Sequence, residues 1–184
     1  LLYRGEAGED SFSGIDTADS RKEEEVLRPF LFLPGTNHAL ALHDDSAGRA
    51  AIFEVDLLTR ADLRTVFAAP EGAEVDGITV SADGKDLLGV STSEANGKMH
   101  WLDPALAELQ AQFDKAVGDK RAHIISLSRD RSRMLVRVTR PDNPGAIYFY
   151  DVADGTLRQI ARLNETIGAR TLSPVRMVKY KARD

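Results

Sequence analysis

Adjacent carboxylates hold an ammonium group by charge-assisted hydrogen bonds, and Glu23-Glu24-Glu25 is the run that best offers them. Arg21-Lys22 precedes it, so a solvated charged segment competes with that reading. A serine nucleophile needs a positioned base and a sharp turn of the form Gly-x-Ser-x-Gly. That string is absent. The nearest, Gly89-Val90-Ser91-Thr92-Ser93, lacks the second glycine and falls within an expected strand. No catalytic residue is therefore assigned. His38, His43, Asp44 and Asp45 approach the density of a metal site. On a strand, however, residues five apart point to opposite faces, and the spacing matches no zinc pattern. A solvated hairpin end is expected, with no metal and no cofactor.

Asp83 and Asp130 fall in equivalent turns, where a short carboxylate accepts hydrogen bonds from turn amides and fixes the hairpin. His100 and His123 stand alone and read as ordinary partly buried or surface residues. Arg129, Arg131, Arg133, Arg137 and Arg140 gather at one hairpin. A nucleic-acid site would add interleaved aromatics and a basic overall balance. Neither is there, so the arginines read as a surface rim facing an adjoining domain.

The elements that carry these residues repeat. Leu33 to Leu42 with Ala51 to Asp56, Thr79 to Val90 with Lys98 to Asp103, and Ser126 to Val138 with Ala146 to Asp151 share one pattern. Ser81 to Ser128 is 47 residues, as is Ile52 to Met99. A period of roughly 40 to 50 residues with about four short strands per unit is the pattern of a β-propeller. The expected fold is all-β, a partial propeller of about three four-stranded antiparallel blades with one helix inserted in the middle blade. Residues 1–25 form a lead-in or partial blade, 26–70, 74–118 and 121–165 form blades, and 166–184 form a linker.

The third repeat shows the expected strands best. They are Ala122 to Ser128, Met134 to Thr139, Ala146 to Val152 and Thr156 to Leu163, with Pro141 to Gly145 as a loop and Ala153-Asp154-Gly155 as a tight turn. In the second repeat Leu102, Leu106, Leu109, Phe113 and Val117 fall at helical spacing. Pro104 suits a first turn and Gly118 a stop, which predicts a helix over 105–117 that replaces or extends the outer strand. A blade exposes two faces, and neither is buried without a neighbour. Near-continuous apolar runs such as Ile147-Tyr148-Phe149-Tyr150 are expected from stacking on both sides. Three blades leave two faces open, so further sequence or self-association is expected to cover them.

Composition sets outer bounds. With 42% hydrophobic and 29% charged residues the chain reads as globular. A net charge of −5 disfavours nucleic acid and anionic membranes as partners. No apolar run approaches the roughly 20 residues that span a bilayer, and Leu1 to Gly5 lacks the pattern of a signal peptide. The absence of cysteine excludes disulfides and leaves both cytoplasm and periplasm open. Starting without Met and stopping at Lys181-Ala182-Arg183-Asp184, the chain is expected to be a piece of a longer protein.

Ser128-Arg129-Asp130, Pro144 to Asp151, and Leu172-Ser173-Pro174-Val175 through Tyr180-Lys181-Ala182-Arg183-Asp184 carry a resemblance. They resemble the junction between propeller and hydrolase domain in serine peptidases of the prolyl-oligopeptidase family, in its acylaminoacyl- and dipeptidyl-peptidase-like branch. Trp101-Leu102-Asp103 and the helix from Leu106 to Phe113 are similar to bacterial members. The resemblance covers residues 75–184 well and the first 70 only as generic blades. It implies a non-catalytic propeller segment that gates the access of short peptides to an α/β-hydrolase domain of the same parent chain. It also implies that Glu23, Glu24 and Glu25 could hold a substrate's amino terminus. The rival reading is an accessory propeller of the TolB type that binds a protein partner.

Overall fold

The structure, a computed structural model, describes residues 1–3, 12–22, 26–94, 97–118, 121–168, 170, 172–173, 178 and 180. It is mostly β, with three antiparallel sheets of three or four strands, none of them closed. The chain divides into two compact units, Leu1–His100 and Trp101–Asp184.

In the first unit a short pair, β1 (Leu2–Tyr3) and β2 (Ser13–Gly14), precedes the first large sheet. That sheet runs β3 (Pro29–Phe32), β4 (His38–Asp44), β5 (Ala50–Asp56) and β6 (Asp62–Ala68), each strand pairing with the next. Pro29 opens β3, where a missing N–H costs no ladder bond. One face of the sheet buries Ala39, Ala41, Ala51, Phe53 and Val55 beneath Leu57, Ile15 and Leu27. The other buries Leu31, Leu40 and Ile52 against Val90, with Val75 and Leu87 packed around them. Burial on both faces explains why β4 and β5 read as unbroken apolar runs. Ile52 is fully buried, which contributes about 1.5–3 kcal/mol relative to an exposed side chain. Val75, Leu87 and Val90 belong to the second sheet, β7 (Val75–Val80), β8 (Leu87–Thr92) and β9 (Lys98–Trp101). The first two sheets therefore pack through shared apolar side chains.

The second unit opens with α1 (Pro104–Val117). Asp103 caps it by accepting from the Leu106 N–H at 3.0 Å, and Pro104 occupies the first turn. The third sheet is β10 (Arg121–Leu127), β11 (Arg133–Arg140), β12 (Asn143–Asp151) and β13 (Thr156–Arg162), again in sequential order. A single turn, α2 (Glu165–Gly168), comes after it. The helix covers the expected residues, yet its apolar side serves the third sheet and not the middle one. Phe113, with Leu109 and Val117, packs on Met134, Val136 and Tyr150. Phe113 meets Tyr150 edge to face, centroids 4.8 Å apart. Continuous burial was expected of the third sheet, but β11 alternates: Met134, Val136 and Val138 are buried while Arg133, Arg137 and Arg140 are exposed. The helix covers one face, and the other carries Arg133 and Arg137.

Three hairpins close in the same way. Leu33 N–H bonds the His38 carbonyl at 2.9 Å, Ser81 that of Asp86 at 2.8 Å, and Ser128 that of Arg133 at 2.9 Å. The next repeated feature is an aspartate at the end of the third strand of each repeat. Asp56 and Asp151 each accept from a loop N–H two residues on, at 2.8 and 3.0 Å, and the chain turns into a fourth strand. Asp103, 47 residues after Asp56 and 48 before Asp151, caps a helix instead. Its downstream neighbours decide the difference: Pro104 and the helix-forming Ala105-Leu106-Ala107-Glu108 favour a first helical turn over a hairpin.

The loop expected at Pro141 to Gly145 is shorter than its composition suggests. Pairing resumes at Asn143, opposite Arg140, across a register shift after Val138. Asn143 Oδ1 accepts from the Gly145 N–H at 2.8 Å, and Gly145 takes φ 89°. Together they form a bulge that admits Pro144 to the strand.

Candidate functional site

In the first unit a cleft of about 610 Å³ opens where the end of β4 and the starts of β3 and β7 converge. Arg28, His43, Asp44, Glu74 and Asp76 give it both signs of charge, and Phe30 and Leu42 supply apolar wall. Strand pairing positions His43 and Asp76. His43 stacks on Phe53, two residues along the neighbouring strand from its partner Ala51, with centroids 4.3 Å apart. Its Nε2 lies 3.1 Å from Asp62 Oδ1 and its Nδ1 3.0 Å from the Asp44 carbonyl oxygen. Asp76 sits at a register shift between Val75 and Gly77, which frees it from the ladder. There its carboxylate accepts a hydrogen bond from the Ser91 hydroxyl.

These contacts define the chemistry. Ser91 lies in β8, as expected, and its hydroxyl donates a hydrogen bond to a carboxylate. Among the described residues no histidine bonds to it, so the arrangement lacks a nucleophile paired with a base. What the cleft offers is binding: carboxylates for a cation and the Arg28 guanidinium for an anion.

A second cluster was hidden from sequence reasoning. His100 Nε2 lies 2.8 Å from Glu94 Oε2 and 3.0 Å from Thr92 Oγ1, while Thr92 donates to the same Glu94 oxygen at 2.9 Å. Thr92 is fully buried, and the His100 ring leans on Phe67 at 5.2 Å. The expectation that His100 stands alone is thus corrected. Hydrogen bonds from Thr92 and then from His100 hold the Glu94 carboxyl below its ordinary range. One ring nitrogen serves both partners, so the three groups form a closed triangle that ties the end of β8 to β9 and not a proton relay.

The other expected positions are accounted for individually. Glu23, Glu24 and Glu25 lie outside the described residues, as do most of the residues in the tail motif that ends at Asp184. His38 bonds Glu54 at 2.9 Å, and Arg64 meets the same carboxylate at 2.7 Å. Both partners lower the Glu54 carboxyl, His38 the more strongly. Asp45 ties its own turn through the Ala47 and Arg49 amides. His123 is pushed below its usual value by burial and by Arg137 and Arg121. Asp83 and Asp130 accept from Ser81 at 2.7 Å and from Ser128 at 2.6 Å, and both serines bind back to turn amides. The arginines disperse, Arg131 to Asp103, Arg133 to Asp151 and Arg140 to Asp142.

Among the described residues no group of three or more His, Cys, Asp or Glu is placed to hold a metal ion, and no helix is long and apolar enough to cross a membrane. Compared with known proteins, the chain matches no family model, no curated protein and no solved structure.

Proposed function

We propose that this chain is a non-catalytic β-propeller segment that gates the access of short peptides to a separate α/β-hydrolase domain of a prolyl-oligopeptidase-like serine peptidase. The observation that carries the reading is the repeated hairpin: three closures of identical bonding, spaced 48 and 47 residues apart, each opening an up-and-down sheet. Such units are what a propeller repeats radially. Packing between the first two sheets supports it, because blades bury their faces only on one another. The cleft that holds Arg28 and the carboxylates Asp44, Glu74 and Asp76 complements the two charged ends of a short peptide. Open sheet faces, where they lack a neighbour, would drive self-association of the isolated chain.

The test compares this chain with the product of its whole coding region on short chromogenic peptides. Activity in the longer product alone, blocked by a serine-directed phosphonate, is the expected result. Turnover by this chain alone overturns the proposal. A coding region that supplies no Gly-x-Ser-x-Gly hydrolase also overturns it, in favour of a TolB-type propeller that binds a protein partner.

A further inference from the structure

In the second unit a cleft of about 450 Å³ lies between the β11–β13 end of the third sheet and α2. Its volume is within the range of small-molecule sites. Three side-chain amides that line it share one property: their acceptors are already used. Asn143 Oδ1 accepts from the Gly145 N–H at 2.8 Å, and Asn164 Oδ1 accepts from the Ile167 N–H at 2.8 Å. Gln159 Oε1 faces the Tyr148 hydroxyl as acceptor at 3.4 Å. A side-chain amide has one acceptor oxygen and an NH₂ with two donors. Three NH₂ groups are therefore left to donate, and among the described residues none of them has a partner.

Charge points the same way. Arg162, opposite Ala146 in the β12–β13 register, also lines the cleft. Among the described residues its guanidinium has no hydrogen-bond or ion-pair partner. Arg140 lines it too, but is held by Asp142 at 2.5 Å. Among the described residues no carboxylate lines the cleft, although acidic residues outnumber basic ones by 29 to 24 in the chain. A concave site with surplus donors, one available guanidinium and no competing acid is complementary to an anion.

We propose that this cleft binds a small molecule through an oxyanion, either a carboxylate or a phosphate group, with Arg162 as the charged anchor and the Asn143, Gln159 and Asn164 amides as donors. The assignment is independent of the peptidase reading, since it rests only on the third sheet and the α2 turn that follows it.

Titration of the full chain with succinate, with succinamide and with inorganic phosphate tests it, monitored by calorimetry and by amide chemical shifts. Saturable binding of an anion is expected, with shifts centred on Asn143, Gln159 and Asn164 and none from the neutral diamide. Response to succinate alone identifies a carboxylate ligand, and response to phosphate alone a phosphate ligand. Arg162→Ala should weaken binding by about tenfold or more, and Arg162→Lys should lose less. Arg158→Ala is the control, because Arg158 lies over the Phe149 ring, 5.5 Å from its centroid, and does not line the cleft. It removes the same charge and should leave binding within about twofold. Failure of both anions to saturate by about 10 mM overturns the proposal. So does equal weakening by Arg158→Ala and Arg162→Ala in variants that keep the thermal midpoint of the parent.

Discussion

Arg131 stands in the left-handed backbone conformation, φ 58°, at the turn position that Gly84 fills with φ 70° in the preceding repeat. The two turns share their bonding: Gly84 N–H and Arg131 N–H each reach the serine carbonyl three residues back, at 2.9 Å. A side chain in this conformation costs about 1–2 kcal/mol. Arg131 offsets part of that cost through Asp103, whose Oδ2 its Nη1 meets at 2.5 Å.

The pair predicts an asymmetry. Gly84→Ala should cost about 1 kcal/mol, from backbone conformation alone, because a Cβ there meets nothing within 4 Å. Arg131→Gly should change stability by less than about 1 kcal/mol, since relief of the turn opposes loss of a partly exposed ion pair. Urea unfolding of both variants decides it. A loss above about 2 kcal/mol for Arg131→Gly would show that the Asp103 contact outweighs the backbone term.

Asp103 carries two duties, the cap of α1 and the partner of Arg131. Hydrogen bonding from the Leu106 N–H, and then from Arg131, holds its carboxyl below the ordinary range. Asp103→Ala should cost about 1–2 kcal/mol, and Asp103→Asn, which keeps an acceptor for Leu106, about half as much. Equal losses by chemical denaturation would mean that the ion pair, and not the cap, sets the cost.

How much of the fold and its sites was legible in the residues alone depends on the range of the forces involved. The helix could be read because Pro104, Gly118 and the Leu106, Leu109, Phe113 spacing are local. The aspartate turns were legible for the same reason, since Ser128 and Asp130 are two residues apart. The site at Thr92, Glu94 and His100 was not, because the hairpin that joins them is closed by strand pairing. The donor-lined cleft was equally hidden. Asn143, Gln159 and Arg162 meet only through the register of two strand pairs and a bulge, which one residue of slip would undo. Pro141 to Gly145 misled for a related reason: loop composition there builds a bulge within paired strands.

Acid should act on the second unit in two windows. Burial lowers the His123 pKa from 6.5, so the unfolded chain takes up this proton first and stability falls as pH drops below 6.5. Asp130 is lowered from 3.8 to about 2 by the Ser128 hydroxyl, then by Ser132. Its contribution is complete above about 4 and disappears as pH falls toward 2. Unfolding midpoints measured from pH 7 to 2 should show both declines. His123→Gln should flatten the upper one and Asp130→Asn the lower, whereas an unchanged acid slope in Asp130→Asn would place the linkage elsewhere.

Gly145 predicts the largest effect of a single methyl group. Its φ of 89° is a conformation that only glycine adopts readily, and a Cβ would fall on the Val138 carbonyl oxygen and 2.9 Å from Thr139 Cα. Both obstacles are backbone, so neither rotates aside. Gly155 supplies the control, with φ 64° and open space around its absent side chain. Gly155→Ala should cost about 1 kcal/mol, the conformational term alone. Gly145→Ala should cost about 3 kcal/mol or more, as strain and steric overlap add. It should also disturb the bulge that ties up the Asn143 oxygen, and with it the donors of the anion cleft. Equal losses in the two variants, by urea denaturation, would mean that β11 and β12 separate freely at this point, and the bulge would then not position the cleft.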